Sequence, residues 1–138
     1  MKSPALCDWV FEHAGRTPEA PAVDSPGHRV SYGALARRIV SLAERLRAVG
    51  VGPGDQVLVA LPNSPAAVVA SLAVQHAGAV GVEVTREWSP AELSIVFEQT
   101  RLRCVVFAAR DAQKLVPLAR AAGVGLAIVV HSGELSRP

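Results

Sequence analysis

The chain has 138 residues, half of them hydrophobic and 19% charged, with a mean hydropathy of +0.29. That is too apolar for a disordered chain and long enough for one packed domain spanning 1–138. Fourteen basic and twelve acidic residues leave a formal charge of +2, and the absence of a basic block together with 4% aromatic content excludes the footprint of a nucleic-acid-binding protein.

The opening "MKSPALCDWV" has no long apolar run, so no signal peptide is expected and the chain reads as cytoplasmic. Ser3-Pro4 can start a helix through about Ala14, with Leu6, Trp9, Val10 and His13 on one side. Pro18 and Pro21 keep the next segment extended, and "AVDSPGHRVS" predicts two short strands around a Ser25-Pro26-Gly27 turn. Ser31 can cap a second helix whose face is Leu35, Ile39, Leu42, Leu46 and Val49, a helical spacing. Gly50 ends it, and "QVLVAL", Gln56 to Leu61, suits a buried parallel strand.

Asn63 or Ser64 caps the next helix, with Pro65 in its first turn. That helix, "AAVVASLAVQHA", is apolar nearly all round, which predicts burial between other elements; it is shorter than the roughly 20 residues a membrane span needs. Gly78 stops it, and "AVGVEV" follows as a second strand of buried type. Glu83 is a carboxylate inside that run, best placed at a strand end facing water. Ser89-Pro90-Ala91-Glu92 fits a capping box for a helix presenting Leu93, Val96 and Phe97. "LRCVVF" is a third strand; Asp111 starts a helix that Pro117 should kink or restart; "GLAIVV" is a fourth strand, and 132–138 is a polar tail. The order β-α-β-α-β-α-β predicts an α/β fold: a parallel sheet of about four strands with helices on both faces, preceded by a helix and a short hairpin. Cys7 and Cys104, far apart and without a CxxC, are expected as buried free thiols.

The glycine-rich "GVGPG" looks like a dinucleotide fingerprint but follows a helix and feeds a strand. A phosphate loop must do the reverse, so that helix N–H groups meet the anion. The better-placed corner is "LPNSP", which makes Asn63 and Ser64 the candidate ligand-binding residues. With no glycine and no lysine there, capping is the favoured role. His13, His28, His76 and His131 lack metal-ligand spacing, and no GxSxG or GxxxxGK[ST] motif occurs, so no catalytic or metal residue is assigned. On the residues alone, a small flavodoxin-like ligand-binding domain remains an alternative.

From about Asp8 to His131 the chain resembles the opening segment of the adenylate-forming ligases: acyl-CoA synthetases, fatty acyl-AMP ligases and nonribosomal peptide synthetase adenylation domains. The resemblance lies in "FEHAGRTPEAPAV", "VSYGALARRIVSLAERLRAVGVGPGDQVLVALPNSP", "VVASLAVQHAGAVGVEV" and "SPAELSIVFEQTRLRCVVF", in that order. It implies ATP- and Mg²⁺-dependent activation of a carboxylate as an acyl-adenylate, then transfer to coenzyme A or a carrier-protein thiol. The phosphate loop, the acidic Mg²⁺ residue, the ribose aspartate and the C-terminal lysine of such ligases have no counterpart here. The chain alone is therefore expected to bind neither ATP nor Mg²⁺ and to be inactive. Its apolar surface suggests a complementary ligase fragment or self-association, with a carrier protein as a further partner. Glu83 stands where the family usually has proline, and Thr85-Arg86 where it has an Asn/Asp-Pro-like turn. A non-catalytic remnant that binds a protein partner is the other reading.

Overall fold

The computed structural model describes residues 4–85 and 87–131; Ser3, Arg86 and the 132–138 tail lie outside them. Helix α1 (Leu6–Arg16) leads into a hairpin of β1 (Pro21–Ser25) and β2 (His28–Ser31), then α2 (Tyr32–Ala48). The α/β body follows: β3 (Gln56–Ala60), α3 (Pro65–His76), β4 (Val80–Glu83), α4 (Pro90–Gln99), β5 (Leu102–Ala108), α5 (Ala112–Ala121) and β6 (Ala127–Val130). The four body strands form one sheet in the order β4-β3-β5-β6, every neighbouring pair parallel.

Parallel strands buried on both faces must be apolar wherever both faces are covered, and β3 from Val57 to Ala60 and β5 from Cys104 to Ala108 are. Strand periodicity sorts their side chains. Val57, Val59, Cys104, Val106 and Ala108 meet Ala43 and Leu46 of α2 and Ala70, Ala73 and Val74 of α3. Leu58, Ala60, Val105 and Phe107 meet Leu93 and Phe97 of α4 and Leu115 and Ala119 of α5. A third cluster joins α1, β2, α2 and α3 through Cys7, Val30, Leu35, Ile39, Val69 and Leu72. Helix α3 is thus packed on the sheet by one side and on α1 and α2 by the other, which is why its sequence has no polar face.

Burial pushes the Cys104 thiol up to about 11, with smaller opposing effects from backbone hydrogen bonds and Arg103. Cys7 is also raised, by burial first and then by the charge of Asp8. Both cysteines are free and buried.

The structure corrects several sequence expectations. Helix α1 starts at Leu6, not Pro4, with Asp8 Oδ2 accepting the Ala5 N–H at 2.8 Å. Its buried face is Cys7 with Val10 and Phe11, whereas Leu6 and Trp9 are more than half exposed. Val49 is 40% exposed, and Val51, beyond the helix end, is the buried residue. Strand β4 sits at the sheet edge, with Val80 52% exposed, so it is not of buried type. Helix α5 runs on through Pro117 as one element. Pro117 is exposed, so the carbonyl it frees one turn earlier can bond water.

The glycines of "GVGPG" close α2 and turn the chain into β3. Val51 N–H donates to Leu46 O at 2.9 Å and Gly50 N–H to Arg47 O at 3.0 Å, with Gly50 at φ +92°, a Schellman cap. Gly52–Asp55 then forms a type II-like turn with Pro53 second and Gly54 third, at φ +84°. Asp55 Oδ2 accepts the Gly52 N–H at 2.8 Å. An alanine at Gly54 must take a left-handed conformation, whereas Gly52 has open space and an ordinary φ. Urea unfolding is expected to show Gly54→Ala losing about 1–2 kcal/mol and Gly52→Ala well under half of that.

Candidate functional site

In open α/β sheets ligands enter outside the carboxyl ends of the strands. Here that end carries a crevice of about 400 Å³ between the β3–α3 and β4–α4 connections. Its polar lining is Asn63, Ser71, Glu83, Thr85 and Glu87, over an apolar floor that includes Val59 and Leu61. The glycine turn lies at the opposite, amino end of β3, so it has no access to this space.

The two residues singled out by sequence part company here. Ser64 is the N-cap of α3: its Oγ accepts the Ala67 N–H at 3.2 Å and donates to Pro62 O at 2.8 Å. Both halves of the hydroxyl are thereby engaged. Asn63 is exposed and lines the crevice. Glu83, the last residue of β4, is exposed at the crevice mouth, and Glu87 joins it from the next loop. Sequence reading placed Glu83 at a solvent-facing strand end but did not bring it together with Asn63 and Glu87. Only the β3–β4 pairing, with Val59 opposite Glu83, does that.

The α4 end of the crevice is held by the capping box expected from sequence. Ser89 N–H donates to Glu92 Oε2 at 2.7 Å, and Glu92 N–H donates to Ser89 Oγ at 3.3 Å. The Ser89 backbone N–H, then its hydroxyl, hold the Glu92 carboxyl below the usual range. On the other face of the sheet, Asp111 is only 8% exposed at the head of α5, where Lys114 Nζ donates to Trp88 O at 3.3 Å. Asp111 stands directly before α5, at the helix start that the sequence expected.

The corner offers little to a magnesium triphosphate. An anion at a helix N-terminus needs free amides, yet Pro65 has none and the Ala67 N–H goes to Ser64, which leaves Ala66 as the one first-turn residue of α3 whose N–H is not directed to Ser64. Glu83 and Glu87 add negative charge facing the same space. Among the described residues no cluster of His, Cys, Asp and Glu could hold a metal ion, and no helix is long and apolar enough to cross a membrane.

Comparison with known proteins agrees with this scaffold. The family model described as AMP-binding enzyme matches residues 10–138. Feruloyl-CoA synthase of Amycolatopsis sp is 33% identical over 135 residues, covering 98% of this chain and 27% of that protein. Enterobactin synthase component F of Escherichia coli K12 is 37% identical over 96 residues, 70% of this chain and 7% of that protein. Among solved structures, a benzoate CoA ligase from Burkholderia xenovorans LB400 superposes with a TM-score of 0.80 at 23% identity, over 95% of this chain and 26% of its own, which shows a shared fold. The chain belongs to the AMP-binding enzyme family, and its relatives here include a feruloyl-CoA synthase and an enterobactin synthase component. It spans about a quarter of the feruloyl-CoA synthase it matches, and far less of the enterobactin synthase component.

If Ser64 serves as a cap and Asn63 does not, chemical denaturation separates them. Ser64→Ala is expected to lose about 1 kcal/mol, with Asn63→Ala well below it.

Proposed function

We propose that this chain is the N-terminal portion of an ATP-dependent ligase that activates a carboxylate as its acyl- or aminoacyl-adenylate and passes it to the thiol of coenzyme A or of a carrier protein. The observation that carries this is the family match along residues 10–138 by a chain that spans only about a quarter of an acyl-CoA ligase. The role of residues 1–138 in that enzyme is a single scaffold domain. It supplies a parallel sheet and one wall of the carboxyl-end crevice, with Asn63, Glu83 and Glu87 on it.

ATP and Mg²⁺ belong to the complete enzyme. Stabilising a triphosphate in reaction takes convergent N–H donors and cations, and those are to be supplied by the rest of the ligase. The chain alone is therefore inactive, and the work of its own residues is to fix the sheet against which that machinery is built. The similarity to enterobactin synthase component F favours a carrier protein as an acceptor beside coenzyme A. The supply of ATP and coenzyme A favours the cytoplasm as its site of action.

Replacing the matching 135 residues of the Amycolatopsis feruloyl-CoA synthase by this chain tests the reading. The chimera is expected to unfold in one transition and to retain ferulate-dependent exchange of pyrophosphate into ATP. A chimera that folds as cooperatively as the parent but exchanges no pyrophosphate would contradict it.

A further inference from the structure

Neighbouring residues of β3 face opposite sides of the sheet, and Thr85 of the β4–α4 connection stands where the two sides meet. On the α3 side, Thr85 and Glu87 line the crevice whose floor includes Val59 and Leu61. On the α4–α5 side, the same Thr85 borders a second gap with Ala60, Leu93, Asp111 and Lys114, too narrow to admit a water. Thr85 is therefore a shared wall, with the crevice in front of it and the head of α5 behind.

The connection is tied down from behind. Trp88 N–H donates to Thr85 O at 3.3 Å, which closes the turn. The next peptide unit is gripped at both ends: Lys114 Nζ donates to Trp88 O at 3.3 Å, and the Ser89 N–H donates to Glu92 Oε2 at 2.7 Å. The Glu92 bond is a cap that serves α4 itself. The Lys114 bond crosses from one element to another and comes from a partly buried side chain. Holding a lysine in one place costs side-chain entropy. Lys114 also lies in the first turn of α5, where a cation opposes the helix dipole. Helix formation thus gives no reason for a lysine there, whereas a charge-assisted bond to the Trp88 carbonyl does. Asp111, 8% exposed, lines the same gap and puts a carboxyl near the lysine stem.

We propose that Lys114 is a positioning residue for the crevice: from the far side of the sheet it fixes the β4–α4 connection, and through that connection it sets where Thr85 and Glu87 stand. Lys114 does not line the crevice itself. Its effect on a ligand there passes through the Trp88 carbonyl and the turn that Trp88 closes. The proposal rests on the ligase reading above for the use of the crevice, and adds to it a residue outside the crevice that governs its shape.

Trp9 and Trp88 are the only tryptophans, so in a Trp9→Phe background of the 138-residue chain Trp88 alone reports on the connection. Lys114→Met keeps the stem and removes the ammonium. It is expected to raise acrylamide quenching of Trp88 at least about twofold while the unfolding midpoint stays close to the parent's. Lys114→Arg restores a cationic donor and is expected to return quenching to the parent's level. In the feruloyl-CoA synthase chimera, Lys114→Met and Glu87→Gln are each expected to raise the KM for ferulate at least about threefold, and the double variant no more than the stronger single one, because both act through one loop. Quenching unmoved by Lys114→Met, quenching not restored by Lys114→Arg, a KM indifferent to Lys114→Met, or additive effects on KM overturn the proposal. So does a large fall in the unfolding midpoint of Lys114→Met, which marks a structural tie only. A chimera without pyrophosphate exchange even when Lys114 is in place defeats the ligase reading, and Trp88 quenching then decides by itself whether Lys114 holds the connection.

Discussion

The pairing of β3 with β5 is the constraint from which the rest of the molecule follows. Both strands are buried on both faces, so each residue of "VLVA" and "CVVFA" must be apolar, and alternation deals them to two helical layers. A fully buried aliphatic side chain contributes about 1.5–3 kcal/mol, so this pair alone commits a large share of the hydrophobic driving force. It also forces helices onto both faces, because neither face can be left wet. Where the pair drifts in register, between Gln56 and Val57, the Gln56 side chain accepts the Arg101 N–H at 2.8 Å and fills the gap in the ladder.

From that layering come both the covered helix and the open end. Helix α3 is caught between the sheet and the α1–α2 layer, and Phe11 of α1 meets His76 at its last turn with ring centroids 4.9 Å apart. Arg47 of α2 donates to the His76 carbonyl at 2.6 Å, a cation at a helix C-terminus, where the dipole favours it. With its turns fixed at the amino end, the sheet presents its carboxyl end as the crevice of Asn63, Glu83 and Glu87.

Most of this was legible because periodicity and caps are local. The strand–helix order, Ser31, Ser64 and the Ser89–Glu92 box needed only nearest neighbours in sequence. What failed was what depends on long-range placement. The face of α1 was read correctly only at Val10: Leu6 and Trp9 are apolar enough to look buried but are exposed, as is His13, while Cys7 and Phe11 join Val10 in the cluster shared with α2 and α3. Strand β4 looked like β3 in composition, and only strand order reveals it as an edge. The crevice itself was half legible. Its β3 corner could be found, but Glu83 and Glu87 joined it through pairing that the sequence does not announce.

The described residues thus make a platform in which Pro65 brings no amide to the head of α3 and Glu83 and Glu87 place negative charge at the crevice. The most direct measurement is exchange of labelled pyrophosphate into ATP by the purified 138-residue chain alone, with Mg²⁺ and a panel of carboxylates. The account predicts no exchange above the protein-free rate with any of them. Carboxylate-dependent exchange by the unaided chain would contradict it.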